Sequence, residues 1–227
     1  MTEISPAQGE EFQASEVNAW DECEPAREQR ATARFTLLIR TAKLVSASGE
    51  YLCVVRDVSS DGIKVRTFHP LPSDADYTIE LASGERHAVA KVWEDGDITG
   101  FRFTSAVPLD RLLAEAPEGL RRRPVRLRLA LPLTLFSNGR PLNATFVDIS
   151  QHGACIECPD YLAMDERIRL SSDCLPELVG RVRWRRRPLY GLIFEQTFRF
   201  DELARLTAPH QSAAPVSVQR ALSAFGR

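Results

Sequence analysis

Two copies of one short polar motif have residue types that could recognise a nucleotide. "RDVSSDG" at 56–62 and "VDISQHG" at 147–153 both contain Asp-x-Ser-x-x-Gly. A hairpin turn needs the glycine, but it does not need the same aspartate and serine twice. The carboxylates of Asp57 and Asp148 can accept hydrogen bonds from paired donors such as the ring N–H and amino group of guanine.

An arginine pair precedes each motif. Arg30 and Arg34 lie in "RATAR", and Arg122 and Arg126 lie in "RRPVR". In an extended segment such residues project from one side, roughly 13 Å apart at ~3.3 Å per residue. Pro124 disfavours a regular helix in the second copy, so we expect an extended arm. Two guanidinium groups on one side suit phosphates and the acceptor edge of guanine.

Serine and glycine complete each motif. The hydroxyls of Ser59 and Ser150 can donate to a ligand or accept from it. Gly62 and Gly153 are expected to adopt positive φ and to let the backbone approach a ligand closely. Together these residue types fit a guanine nucleotide that is bound without metal chemistry.

The motifs belong to an internal duplication. The positions that recur at a constant offset of 91 residues are Asp57/Asp148, Ser59/Ser150, Gly62/Gly153, Trp93/Trp184, Gly100/Gly191, Phe103/Phe194 and Asp110/Asp201. The arginine pairs recur at an offset of 92, so one residue is lost between arginines and aspartate. We place that loss at the hairpin turns "SASGE" and "SNGR". A constant offset over so many positions indicates two copies of one domain.

Six short segments with β-strand composition follow one another in each copy, separated by turn residues. This pattern predicts an all-β protein of two tandem six-stranded antiparallel barrels. Each barrel is followed by a short predicted helix, "LDRLLAEA" or "FDELARLT", with Asp110 or Asp201 as its N-cap. Trp93 and Trp184 are expected in the barrel cores, because each lies in an alternating strand.

Composition divides the chain into four parts. An acidic segment without periodicity covers 1–26 and is predicted to be a disordered arm. The first barrel is predicted over 27–116 and the second over 117–209, joined at the Pro- and Gly-containing "APEGL". A tail covers 210–227.

Bulk properties limit the function classes. The 227 residues carry a net charge of −2 and are 44% hydrophobic, so neither DNA binding nor membrane insertion is expected. The acidic N-terminus does not resemble a signal peptide, which favours a cytoplasmic location. Five cysteines, an odd number, argue against a disulfide framework.

Catalytic and metal-binding patterns are missing from the sequence. Cys155 and Cys158 form one CxxC without a second ligand pair, so no metal site and no cofactor are predicted. The four histidines are scattered, and no phosphate-binding loop or nucleophile elbow occurs. The sequence therefore predicts a binding protein and not an enzyme.

The arginine pair followed by Asp-x-Ser-x-x-Gly at a turn resembles the PilZ domain, a bacterial receptor module for cyclic di-GMP built on a six-stranded barrel. The likeness extends over both copies and includes their "VW…G.RF" and "RW…G.IF" strand pairs. It implies a cytoplasmic cyclic di-GMP receptor with a downstream protein partner. The ligand contacts that the resemblance implies are Arg30, Arg34, Asp57, Ser59 and Gly62 in the first copy, and Arg121, Arg122, Arg126, Asp148, Ser150 and Gly153 in the second.

Two other functions remain open at this stage. The chain could be a PilZ-shaped protein–protein interaction module that has lost the nucleotide, or it could bind RNA through "GRVRWRRRP" at 180–188. The matching stretch of the first copy, "AKVWEDGD", is acidic, so this basic run is not part of the shared design. If ligand is bound, the second arginine arm, which connects the barrels, is expected to fold back and reorient them.

Overall fold

Two closed six-stranded barrels form most of the described part of the chain, as the sequence predicts. The computed structural model describes residues 35–74, 76–108, 112 and 124–211, with backbone only for 35–39. The strands of the first barrel are β1 (Phe35–Ser46), β2 (Gly49–Val58), β3 (Gly62–Arg66), β4 (Asp76–Leu81), β5 (Arg86–Asp95) and β6 (Ile98–Phe103). Both barrels belong to one compact unit.

The second barrel repeats the first strand for strand. Its strands are β7 (Leu127–Ser137), β8 (Arg140–Ser150), β9 (Gly153–Glu157), β10 (Arg167–Ser171), β11 (Leu178–Arg186) and β12 (Leu189–Phe194). The first barrel closes in the order β1-β2-β3-β6-β5-β4 and the second in the equivalent order β7-β8-β9-β12-β11-β10. All neighbouring strands are antiparallel, with the terminal pairs β1/β4 and β7/β10 completing the barrels.

Alternation of apolar and polar residues forms each core. Along β7 the leucines at odd positions, from Leu127 to Leu135, are buried, and the residues between them are exposed or half-buried. Successive side chains of a strand point to opposite faces, so this spacing fills the barrel interior with one row of leucines.

The offset between the two copies changes from 92 to 91 because of one residue, and this residue lies in a β-bulge and not in the hairpin turn. The turn loops have equal length, because Ser46 pairs with Gly49 and Ser137 with Arg140. The register between β1 and β2 instead shifts between Thr36 and Arg40, by one residue more than the shift between β7 and β8. Our placement of the loss at the turns was wrong, since extra residues in one strand are absorbed as bulges.

Strand β2 is buried on both faces over Gly49–Val55. One face fills the first barrel, while Leu52, 1% exposed, joins the core cluster of the second barrel. The ring of Phe68 packs edge-on against Phe200, with 5.9 Å between ring centroids. A strand that is buried on both faces has a continuous run of apolar residues, and "YLCVV" is such a run.

A short helix closes the second barrel, as predicted. This helix, α1 (Phe200–Thr207), has Arg199 and not Asp201 at the N-cap, so the N-cap lies two residues earlier than expected. Glu202 accepts a hydrogen bond from the Arg199 amide at 3.3 Å, and Asp201 lies in the first turn, where a carboxylate is favourable. The predicted helix after the first barrel lies outside the described residues except for Leu112, which is buried in the first core. No described helix is long and apolar enough to cross a membrane.

Candidate functional site

The second copy brings an arginine of the arm onto the aspartate of the motif. Arg126 lies immediately before β7, and Asp148 lies near the end of β8. The Arg126 guanidinium donates to Asp148 Oδ1 at 2.5 Å, and the Cys155 amide donates to the same oxygen at 3.2 Å. The Asp148 side chain is 15% exposed and that of Arg126 is 44% exposed. Two motif residues 22 positions apart therefore meet at a surface that a ligand can reach.

Serine and glycine build the turn in both copies. The Ser150 hydroxyl donates to the Gly153 carbonyl at 3.0 Å, and Ser59 Oγ lies 3.3 Å from the Gly62 carbonyl and accepts from the Gly62 amide at 3.2 Å. Both serines are buried. The hydroxyls thus close the loop that presents the aspartate, as a serine does in a side-chain-stabilised turn.

The motif glycines are required for close packing and not for positive φ. Neither Gly62 nor Gly153 is among the glycines with positive φ, so that part of our expectation was wrong. A Cβ on Gly62 would lie 2.7 Å from the Phe101 carbonyl oxygen, and one on Gly153 would lie 2.1 Å from that of Leu192. Each glycine begins a strand that passes directly against the neighbouring backbone, where a side chain has no space.

In the first copy the aspartate faces a lysine. Lys64 Nζ lies 3.7 Å from Asp57 Oδ2, and the Lys64 side chain is 37% exposed. The equivalent position in the second barrel is Cys155, which is buried. The two copies therefore share the turn but differ in charge beside the carboxylate.

Cross-strand register places a tryptophan on the same outer face as each aspartate. In the second barrel the pairs Asp148/Cys155, Cys155/Gly191 and Gly191/Trp184 align four residues across neighbouring strands. The first barrel aligns the equivalent residues, Asp57, Lys64, Gly100 and Trp93. We call these two sets the outer rows.

The tryptophans point outward, which contradicts the prediction that they lie in the barrel cores. Trp93 is 42% exposed and Trp184 is 41% exposed. A β-bulge between Lys91 and Trp93, and another between Val182 and Trp184, shifts each tryptophan to the opposite face. One extra residue reverses the alternation of a strand, and the sequence pattern did not show the bulge.

Each indole lies on the bare backbone of a glycine. A Cβ on Gly100 would come within 2.3 Å of the Trp93 ring, and one on Gly191 within 1.8 Å of Trp184 Nε1. In the first barrel Asp57, Lys64 and Trp93 line a shallow depression with Gly62 and Gly100. Sequence reasoning missed the tryptophans and Lys64 as parts of the site. The pairing of each Trp with a Gly at a fixed distance, repeated in both copies, was the signal that could have found them.

The arm of the second copy is attached to the first barrel. Lys43 Nζ donates to the Arg126 carbonyl at 3.0 Å. Glu50 accepts from the Arg128 amide at 2.9 Å and from Arg128 Nε at 2.6 Å, and it pairs with Lys43 at 3.0 Å. Burial alone would raise the pKa of Glu50, but Lys43 and the hydrogen bonds from Arg128 outweigh it, so the pKa is lowered.

Several predicted contact residues lie outside the described part of the chain. These are Arg30, Arg34, Arg121 and Arg122. The described members are Asp57, Ser59 and Gly62 in the first copy and Arg126, Asp148, Ser150 and Gly153 in the second. The structure groups the latter four at one end of β8 and β9.

The cysteines of the CxxC lie in different environments. Cys155 packs with Val147 and Leu189, whereas Cys158 belongs to the second barrel's core. Burial, with a smaller effect of Asp148, raises the pKa of the Cys155 thiol to about 12. Among the described residues, no group of three or more histidine, cysteine or carboxylate side chains could hold a metal ion.

Arginines of the basic run at 180–188 contact neighbouring side chains of the same barrel. Arg181 lies 3.7 Å from Glu195, and Arg183 lies 3.2 Å from Asp165. The Arg185 guanidinium stacks 4.8 Å from the centroid of the Tyr161 ring. These three arginines are partly neutralised or covered within the protein.

A comparison with known protein families finds a match in the region of the second barrel. Residues 120–208 match the family model of the PilZ domain. This segment contains the arm from Leu120 onward, the whole second barrel and α1. No curated protein is similar enough in sequence to count as a match.

Solved structures with similarity to the chain have low identity. PlzA of Borreliella burgdorferi, in complex with c-di-GMP, is 14% identical over 74% of this chain and 87% of its own, with a TM-score of 0.32. The inhibitor of motility MotI/DgrA of Bacillus subtilis is 15% identical over 83% and 99%, with a TM-score of 0.31. MrkH of K. pneumonia in its apo state is 14% identical over 82% and 89%, with a TM-score of 0.28.

Proposed function

We propose that the protein is a cyclic di-GMP receptor of the PilZ family, with a binding site on each barrel. The observation that carries this proposal is the Arg126–Asp148 pair, 2.5 Å apart on the outer face of a barrel that the PilZ family model matches. A guanidinium and a carboxylate side by side offer complementary chemistry to a guanine nucleotide. The arginine binds a phosphate or the acceptor edge of the base, and the aspartate accepts from the base's donors.

The ion pair is easily exchanged for ligand contacts. A pair that solvent reaches contributes only about 0–1 kcal/mol, so its replacement by two charge-assisted bonds to a nucleotide is favourable. Asp148 keeps its orientation during the exchange because the Cys155 amide holds Oδ1. The site is thus largely formed before the ligand binds.

Each part of the motif then has a separate role. We assign Arg122, Arg126 and Arg121 to the phosphates and the base edge, and Asp148 to the guanine donors. Ser150 and Gly153 form the turn that presents the aspartate to the ligand.

The first barrel carries the same site by duplication. Asp57, Ser59 and Gly62 form the same turn, and Arg30 and Arg34 supply the arm. Lys64 adds a positive charge beside Asp57 in place of the buried Cys155. We expect this ammonium to contact a phosphate when Asp57 binds a base.

The exposed tryptophans supply a flat surface for a base. The Trp184 indole lies over Gly191, which is two strands from Asp148 along the outer row, roughly 10 Å at ~4.8 Å per strand. That distance suits a ligand with two bases, one held by the aspartate and the other stacked on the indole. Stacking of a base on an aromatic ring is worth about 1–3 kcal/mol.

We further propose that the receptor passes the signal to a partner protein by reorienting its barrels. The arm with Arg126 connects the two barrels, and its backbone is bonded to Lys43 of the first. A ligand that replaces the Arg126–Asp148 ion pair with its own contacts acts on this connection. The protein is proposed to act by binding, without catalysis.

Calorimetric titration with cyclic di-GMP tests the proposal. We expect binding at micromolar affinity or better, with no heat from GTP or cyclic AMP as controls. Absence of both heat and thermal shift at saturating cyclic di-GMP would contradict it, and the protein–protein interaction module would then be the better explanation.

A further inference from the structure

Arg126 is fixed at two points that belong to different barrels. Its guanidinium contacts Asp148 of the second barrel, while its carbonyl accepts from Lys43 of the first. Two residues later, Arg128 is bonded through its amide and Nε to Glu50 of the first barrel. The backbone that carries the arginine arm is therefore held by side chains of the neighbouring domain.

Glu50 and Lys43 are buried charges at the junction of the barrels. Their side chains are 4% and 8% exposed. Removal of a carboxylate from water is costly unless good hydrogen bonds compensate for it. The Glu50 carboxylate has three such contacts, one to Lys43 and two to Arg128, and the Glu50 amide donates separately to Gln211 at 2.9 Å. A buried network with this many directed bonds fixes geometry, whereas an apolar contact would allow sliding.

The second copy does not contain this network. At the offset of 91, Lys43 corresponds to Thr134 and Glu50 to Pro141, and Pro141 is exposed. The barrel fold therefore does not need the ion pair. Its place at the junction, bonded to Arg126 and Arg128, points to a function there.

We propose that Glu50 of the first barrel is a positioning residue for the ligand site of the second barrel, an inference that rests on the proposed function. Glu50 does not touch the ligand. With Lys43, it holds Arg126–Arg128 so that the Arg126 guanidinium lies over Asp148. Ligand binding at the second site then depends on a residue of the other domain.

Site-specific binding affinity is the direct test. Cyclic di-GMP is titrated into the Asp57→Ala protein, in which only the second site is intact, and into the Asp148→Ala protein, in which only the first is intact. Glu50→Gln in the first background should weaken binding about ten-fold, the loss of one charge-assisted bond. In the second background it should change affinity less than two-fold. Glu80→Gln is the matched control, since Glu80 contacts Lys43 at 3.5 Å but does not contact Arg128.

Equal weakening of both sites would show that Glu50 acts only through stability, and unchanged affinity at the second site would also overturn the proposal. If Glu50→Gln does not fold, Gln211→Ala replaces it, because Gln211 bridges the Glu50 amide and the Arg128 carbonyl without carrying charge. It should weaken the second site two- to three-fold and leave the first unchanged, and no difference between the sites would overturn the proposal.

Amide exchange separates this inference from the proposed function. The Arg128 amide should exchange faster in Glu50→Gln than in the wild type and should be unaffected in Glu80→Gln. If the wild type binds no cyclic di-GMP, the proposed function fails, and exchange at Arg128 alone decides whether Glu50 positions the arm. An unchanged exchange rate would then overturn the inference.

Discussion

The first hairpins of the two barrels have the same fold and opposite surroundings. In the first barrel, the β1/β2 hairpin is buried on its outer face, where Leu52 enters the second core and Glu50 binds Arg128. In the second barrel, the β7/β8 hairpin ends in the exposed Pro141. Duplication produced two equal barrels, but a junction between them needs only one copy of each surface. The hairpins diverged because one became an interface and the other remained in solvent.

The two candidate sites differ in a corresponding way. The arm of the second site is part of the junction, since Lys43 holds the carbonyl of Arg126. The first site instead has Lys64 beside Asp57, at the position that Cys155 occupies in the second. We therefore expect ligand binding at the second site to depend on domain packing and binding at the first site to depend on local charge.

Loss of the Glu50 carboxylate should have the largest effect. Glu50→Gln should lower the free energy of unfolding by about 3 kcal/mol at neutral pH, because it removes the carboxylate that pairs with the buried Lys43 and with Arg128. Glu80→Gln should cost under about 1 kcal/mol, because its side chain is partly exposed. Denaturant unfolding measures both. Equal losses would show that the buried junction is no more important than a surface pair.

The loss of stability in Glu50→Gln should depend on pH. The folded-state pKa of Glu50 is lowered from its ordinary value of 4.5. Its contribution to stability is therefore complete above pH 4.5 and is lost as the pH falls through the lower folded-state value. The difference in melting temperature between wild type and Glu50→Gln should narrow only below that pH. A difference that narrows between pH 8 and pH 6 would implicate another group.

Removal of an arm arginine should weaken ligand binding at its own site only. Arg126→Ala should weaken the second site by roughly ten- to hundred-fold, and Arg34→Ala should do the same at the first, since each removes a charge-assisted contact of about 1.5–3 kcal/mol. Titrations in the Asp57→Ala and Asp148→Ala backgrounds assign each loss to its site. Melting far below the wild type would show that the arginines are structural and that the site assignment is wrong.

Displacement of the indole should have a smaller effect. Gly191→Ala places a methyl group where Trp184 lies and should push the ring from its position, weakening the second site about ten-fold through lost stacking. Trp184→Ala is the matched variant, because it removes the ring without crowding the strand. If Trp184→Ala leaves the second-site affinity unchanged, the tryptophan is not part of the site.

Ligand-dependent barrel orientation should give the smallest signal. Small-angle scattering of the wild type with saturating cyclic di-GMP should show a modest change in the distance distribution, because the second arm joins the barrels. The Asp148→Ala protein, which retains the first site, should show none. An unchanged distribution in a protein whose second site is filled would leave a double receptor without a domain switch.

The sequence alone determined the strands, the duplication and the motif turns. Strand alternation and turn residues are local properties, so the leucines of β7 and the repeated Asp-x-Ser-x-x-Gly predicted the two barrels correctly. It did not reveal bulges, which reverse the face of later residues, and for that reason it placed Trp93 and Trp184 inside the barrels. The sequence also did not show that a bulge in β1 causes the change in offset from 92 to 91, because no characteristic residue marks the bulge here.

Only the tertiary structure decided which residues meet across long sequence separations. Nothing in the sequence distinguishes the buried Glu50 from glutamates that lie at the surface. Its carboxylate is buried because the other domain supplies its hydrogen-bond donors. Gly62 and Gly153 end the motif turns, but their need for space comes from a neighbouring strand that the local sequence does not contain. The Arg126–Asp148 pair depends both on the local sequence and on the tertiary structure. The sequence supplied its residue types and spacing, and the closed barrel brought the end of β8 to the arm before β7.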